Sequence, residues 1–170
     1  MSHHFSTEIP EGDNRPRRVC QECGWIDYVN PKIGVGAVCT WEDKILMCRR
    51  AIEPSKGLWT VPAGYLEVRE SCEDGARREV QEEACAEVEI ESLLAVYSLP
   101  HISQVQMMYK ARMLSADFGV GEESEEVELV TWNEIRWDEL AFRTVTWALR
   151  HYREVEGREN FAAFSNPELI

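Results

Sequence analysis

Residues 64–86 read GYLEVRESCEDGARREVQEEACA. Ser71 is a natural N-cap, and Asp74 three residues later makes a weak capping box, so the spacing predicts a helix over 71–86. At about 100° per residue, with Glu79 set at zero, Glu83 lies near +40° and Glu82 near −60°. Three carboxylates therefore share one face. Ala76, Val80 and Ala84 fall between about +60° and +140°, a narrow stripe of small apolar residues able to press against a sheet. Like charges at this spacing destabilise an isolated helix by a few tenths of a kcal/mol per pair. A hard divalent cation with oxygen ligands offsets that repulsion, and Mg²⁺ in particular shares itself between carboxylates and substrate phosphates.

Outward from this segment, Ile33–Trp41 and Lys44–Arg50 are apolar, β-rich runs separated by Glu42-Asp43, a hairpin pattern. Leu58–Val61 reads as a short strand stopped by Pro62 and Gly64. Val88–Leu99 and Gln104–Met113 read as strands, the second with alternating Val105, Met107, Tyr109 and Ala111. Residues 115–125 read as a loop and Val127–Trp132 as a last strand. Trp137–Val155 reads as one helix, and 156–170 has no clear pattern. The order strands, helix, strands, helix predicts a mixed α/β sandwich. Residues 1–19 are polar with scattered Pro and Gly, and read as loose chain. The expected division is an N-terminal extension 1–31, a main domain 32–156 and a tail 157–170.

The chain has 170 residues, 18 basic and 31 acidic, for a net charge of −13. Such a chain repels nucleic acid and anionic membrane surfaces, so neither is an expected partner. The N-terminal stretch lacks the apolar core of a secretory leader, and no run is long and apolar enough to span a bilayer. A cytoplasmic, reducing location is expected, in which the six cysteines do not form a disulfide framework.

Gly64, Glu70, Arg78, Glu79, Val80, Glu82 and Glu83 fall at the spacings of the Nudix box. The segment resembles that motif except at its end, where Cys85 replaces a glycine and Ala86 a larger aliphatic residue. The resemblance implies an α/β/α sandwich with a mixed sheet and a hydrolase acting on pyrophosphate bonds with Mg²⁺ or Mn²⁺. It implies Glu79, Glu82, Glu83 and the Gly64 carbonyl as metal ligands, with Glu82 and Glu83 catalytic, and Glu70 and Arg78 as residues that stabilise the box. A glutamate beyond the box serves as base or ligand in several relatives; Glu123 and Glu126 are the candidates, Glu126 preferred.

The segments IPEGDNRPRRVC, NPK, WTVPAGYLE, AVYSLPHISQV and GEESEEVEL resemble Nudix enzymes that carry an N-terminal zinc ribbon and cleave FAD or ADP-ribose. By this resemblance the substrate is FAD or ADP-ribose, AMP is a product, and the enzyme is a homodimer. A nucleoside triphosphate pyrophosphatase and a nucleotide-binding regulator without catalysis are the competing readings. Cys20 and Cys23 resemble one zinc knuckle, with His3 and His4 near the place of the missing pair; a metal-free ribbon is the alternative for Zn²⁺. Arg49, Arg50, Lys56 and Tyr65 are candidates for substrate contact, against ordinary surface charge. Trp59 and Tyr97 are weighed as stacking surfaces against core residues, while His101 and His151 show no evident partner.

Overall fold

A computed structural model describes residues 4–167. The chain divides into two compact units, 1–31 and 32–170.

The first unit is an antiparallel sheet of β1 (Phe5–Glu8), β2 (Arg17–Cys20) and β3 (Ile26–Asp27). The expectation of loose chain over 1–19 is corrected at residues 5–8 and 17–19, which are strands. The strands are too short and too polar to show a periodicity, yet Phe5 to Glu8 pairs residue by residue with Cys20 to Arg17. Phe5 meets Trp25 edge-on at 6.1 Å, and Arg18 lies 4.7 Å over the Phe5 ring.

In the second unit, β4 (Lys32–Trp41) and β5 (Lys44–Arg50) form the expected hairpin, with Glu42 at φ 55° in its two-residue turn. β6 (Trp59–Thr60) pairs with β5, and β7 (Ala63–Tyr65), which the sequence reading missed, pairs with β4. Helix α1 (Cys72–Ala84) follows, then β8 (Val88–Leu99), β9 (Gln104–Met113), β10 (Ser124–Thr131) and α2 (Arg143–Val155). The sheet order is β10-β5-β4-β9-β8. β4 runs parallel to β9 while the other pairs are antiparallel, so the sheet is mixed.

Alternation along the central strands builds two cores. Val35, Ala37, Cys39, Leu46 and Cys48 pack with Ala76, Val80 and Ala84 of α1. Val38, Ile45 and Met47 face the other way, with Val145, Ala148 and Leu149 of α2. This is the α/β/α sandwich, and the small-residue stripe read from the sequence is fully buried against the sheet.

The expected helix over 137–155 is broken. Trp137–Glu139 forms a single 3₁₀ turn, then Leu140 bridges Trp59 and the Ala141 N–H donates to the Trp59 carbonyl at 2.8 Å. Pairing with β6 wins over local helix propensity at these residues. The stretch after α2 also returns to the sheet. Phe164 exchanges backbone hydrogen bonds with Leu94 and Val96, both 2.9 Å, and Asn166 bonds both backbone groups of Ser98 at 2.8 Å. These contacts cover part of the β8 edge. Among the described residues no helix is long and apolar enough to cross a membrane.

Candidate active site

Ser71 caps α1 by accepting the Asp74 N–H at 3.1 Å. At the other end Cys85 adopts the left-handed conformation, φ 49°. The helix therefore ends in the left-handed conformation that glycine favours, although the residue is cysteine. The loop before β10 docks on this end. Gly119 N–H donates to Ala84 O at 2.8 Å and Gly121 N–H to Glu83 O at 3.1 Å. A Cβ on Gly121 would lie 1.8 Å from Glu82 O, so only glycine lets the loop approach so closely.

Arg78 is the hub of the preceding loop and the helix. Its fork grips Glu70 at 2.8 and 3.1 Å, reaches Glu79 at 2.7 Å and Glu82 at 2.9 Å, and donates to Tyr65 O at 3.0 Å. The guanidinium beside Glu70 holds that carboxyl below its usual range. Glu70 also accepts the Glu67 N–H at 2.6 Å, which closes the loop.

Glu79 and Glu83 are buried, 7% and 4% exposed. Burial pushes both carboxyls up; Glu83, lifted further by the charge of Glu79, is pushed up to about 8. The Ala63 N–H and the charge of Arg50 pull Glu83 the other way. Among the described residues its Oε2 has no hydrogen-bond partner. Both Glu79 oxygens lie against Gly64, where a Cβ would sit 2.3–2.4 Å from them. A buried acceptor without a donor, beside a second buried carboxylate and a glycine that makes room for it, is a donor set fitted to a hard cation. Glu82 stands at the exposed rim on Arg78, and among the described residues no three acidic, His or Cys side chains are already gathered as a metal cage.

The remaining candidates separate. The charge of Glu123 acts on both Glu79 and Glu83. Glu126 instead pairs with Arg49 at 3.6 Å. Arg49 also donates to Gly57 O at 2.9 Å, and Lys56 pairs with Glu125 at 3.7 Å. Arg50 and Tyr65 line a cleft of about 630 Å³ that runs from Gly64 to the start of α2. Sequence reading missed Gln104, Gln106, Phe142, Arg143 and Trp147 on its walls, and placed no role on His101, which lines it too. No local signal marks them, because β9 and α2 meet only in the fold. Trp59 and Tyr97 are core residues, 3% and 0% exposed. His151, which showed no partner in the sequence, bonds the Tyr97 hydroxyl at 2.8 Å.

In the N-terminal unit Cys20 is buried and Cys23 exposed, joined by a tight turn in which Gly24 N–H donates to Cys20 O at 2.8 Å. Structural zinc takes four ligands. The described residues bring two cysteines and no third ligand, so they do not complete such a site. The carbonyl of His4 accepts the Gln21 N–H at 2.9 Å, and His3 lies outside the described residues.

A NUDIX domain model matches residues 30–154, and a Nudix N-terminal zinc-ribbon model matches residues 2–29. The chain belongs to the Nudix family: it is a Nudix hydrolase, a pyrophosphohydrolase acting on phosphoric anhydrides. A NUDIX hydrolase from Nitrosomonas europaea has the same fold, with TM-score 0.90 and 47% identity over 96% of this chain and 94% of that one. A MutT-like protein of Streptomyces ambofaciens is 32% identical over 127 residues, 74% of this chain and 77% of its own. An ADP-ribose pyrophosphatase of Methanocaldococcus jannaschii is 28% identical over 121 residues, 68% of this chain and 69% of its own.

Proposed function

We propose that this hydrolase cleaves ADP-ribose, with FAD as the second candidate, adding water across the pyrophosphate to release AMP and ribose 5-phosphate, or AMP and FMN. The observation that carries this reading is the buried Glu83 Oε2, without a partner among the described residues, beside Glu79, whose oxygens lie against the cleft residue Gly64. Likeness to an ADP-ribose pyrophosphatase supports the choice of substrate. The cleft volume, about 630 Å³, suits a nucleotide arm.

Glu79, Glu83 and the Gly64 carbonyl would hold Mg²⁺ or Mn²⁺, with Glu82 turning in from Arg78. Such an ion, when bound, activates water and neutralises pyrophosphate oxygens. The chain itself supplies the rest. Arg50, between the cleft and Glu83, takes a phosphate oxygen, a task suited to a guanidinium fork. Arg78 fixes the angle of Glu79 by pulling it from one side. Glu123 is the better placed of the two loop glutamates to accept the proton of the attacking water, since Glu126 is engaged by Arg49.

Product analysis tests the proposal. Purified protein is incubated with Mg²⁺ or Mn²⁺ and, separately, ADP-ribose, FAD, NADH, diadenosine polyphosphates and deoxynucleoside triphosphates. AMP appearing fastest from ADP-ribose, and silenced by EDTA, is the expected result. Preferred release of pyrophosphate from a triphosphate would overturn it.

A further inference from the structure

The cleft differs from the rest of the molecule in charge. In a chain with 31 acidic residues its walls hold no Asp or Glu; its charged side chains are Arg50 and Arg143. Two aromatic rings on the walls are braced by neighbouring side chains. Tyr65 has its hydroxyl held by Gln104 Nε2 at 2.8 Å and Lys32 Nζ at 4.9 Å over its ring. Phe142 has the Arg50 guanidinium 5.2 Å over its ring. Gln106 stands on the same sheet face as Gln104 and the core residue Met108. It lies in register with Gly34, and its Cγ comes within 3.3 Å of where a Gly34 Cβ would be. Half-buried in the cleft, the Gln106 amide makes no hydrogen bond with any described residue, whereas the Gln104 Nε2 already donates to the Tyr65 hydroxyl.

We infer that this cleft seats the adenine of the substrate, and that Gln106 is the specificity-determining residue that reads its edge. The inference rests on the proposed nucleoside diphosphate substrate. A primary amide offers a donor and an acceptor side by side, the complement of the paired groups on an adenine edge. Braced rings offer faces on which a base stacks. A bare sugar arm would instead call for carboxylates to accept from its hydroxyls, as dinucleotide sites use for ribose, and the cleft wall has none.

The test is calorimetric titration of the full chain with AMP, 1,N⁶-etheno-AMP and ribose 5-phosphate, alongside steady-state kinetics with ADP-ribose. The etheno bridge removes the N⁶ donor. Wild type should bind AMP more tightly than either other ligand, with etheno-AMP weaker by at least about five-fold, the low end for one bidentate base contact. Gln106→Met, which keeps the side-chain volume, should erase the preference for AMP over etheno-AMP. It should raise KM for ADP-ribose by a similar factor at nearly constant kcat and Tm. Phe142→Leu should weaken both adenine ligands by a larger factor than ribose 5-phosphate. Ribose 5-phosphate binding as tightly as AMP, or Gln106→Met leaving AMP affinity untouched, would overturn the inference. ADP-ribose hydrolysis that ignores Gln106 sinks this inference alone. Selective AMP binding without cleavage of ADP-ribose or FAD sinks the proposed function alone.

Discussion

Glu83 keeps its carboxyl buried, with one oxygen lacking any donor among the described residues and the other facing the Ala63 N–H and the field of Glu79. A buried acceptor left in this state costs about 1–3 kcal/mol, and a protein keeps such a group where a ligand uses it. Glu83→Gln should therefore lower kcat on ADP-ribose by roughly two to three orders of magnitude, the scale of one preorganised electrostatic group. Its circular dichroism should match wild type and its Tm in EDTA should be equal or higher, because no existing contact of Oε2 is lost and the repulsion from Glu79 is relieved. Activity within a few-fold of wild type would remove Glu83 from the site. Gly64 is the complementary case. The added Cβ of Gly64→Ala would meet both Glu79 oxygens, and the carboxylate would have to move by about 1 Å. A misplacement of that size costs up to about 10²-fold in rate. Single-turnover measurements on the two variants side by side separate a lost ligand from a displaced one.

At the scale of elements, Arg78 ties α1 to the loop that precedes it, joining Glu70, the Tyr65 carbonyl, Glu79 and Glu82. Lysine has the charge but not the planar fork. Arg78→Lys should cost about 1.5–3 kcal/mol, the worth of hydrogen bonds to charged groups, read as a lower urea midpoint, together with a fall in kcat. Unchanged stability would mean that the loop holds itself. These local ties are what the sequence exposed: Ser71 to Asp74, Glu70 to Arg78 and the Ala76–Val80–Ala84 stripe all lie within a few turns, so spacing reveals them. The hairpin of β4 and β5 was legible for the same reason. The N-terminal strands were not, because runs of two or four residues are too short to carry a period. Nor was the start of α2, since Leu140 and Ala141 take their geometry from Trp59, some eighty residues earlier. The cleft is the extreme case: Gln106 and Phe142 come to line one cleft with Tyr65 only after β9 has joined the sheet and α2 has packed against it.

Across the whole catalytic unit, the last described residues lock the β8 edge to α2 through one histidine. His151 stacks on Phe164 with ring centroids 4.2 Å apart and planes at 4°, and its Nδ1 meets the Tyr97 hydroxyl at 2.8 Å. Burial lowers its pKa, while the charge of Glu154 works weakly in the opposite direction. Above about pH 6.5, the ordinary value for an unfolded chain, His151 is neutral in both states and its contribution to stability is complete. As the pH falls through that value, the unfolded chain takes up a proton that the native ring resists. Stability is then lost until the lower native pKa is reached. His151→Gln should be less stable than wild type at pH 7.5 by about 1–2 kcal/mol, for a lost buried hydrogen bond and ring contact. Because glutamine does not titrate, the gap should narrow steadily between pH 6.5 and pH 5. Thermal melts of both proteins across that range give the gap directly, and a gap that stays constant or widens toward acid would show that the native fold accepts the protonated ring.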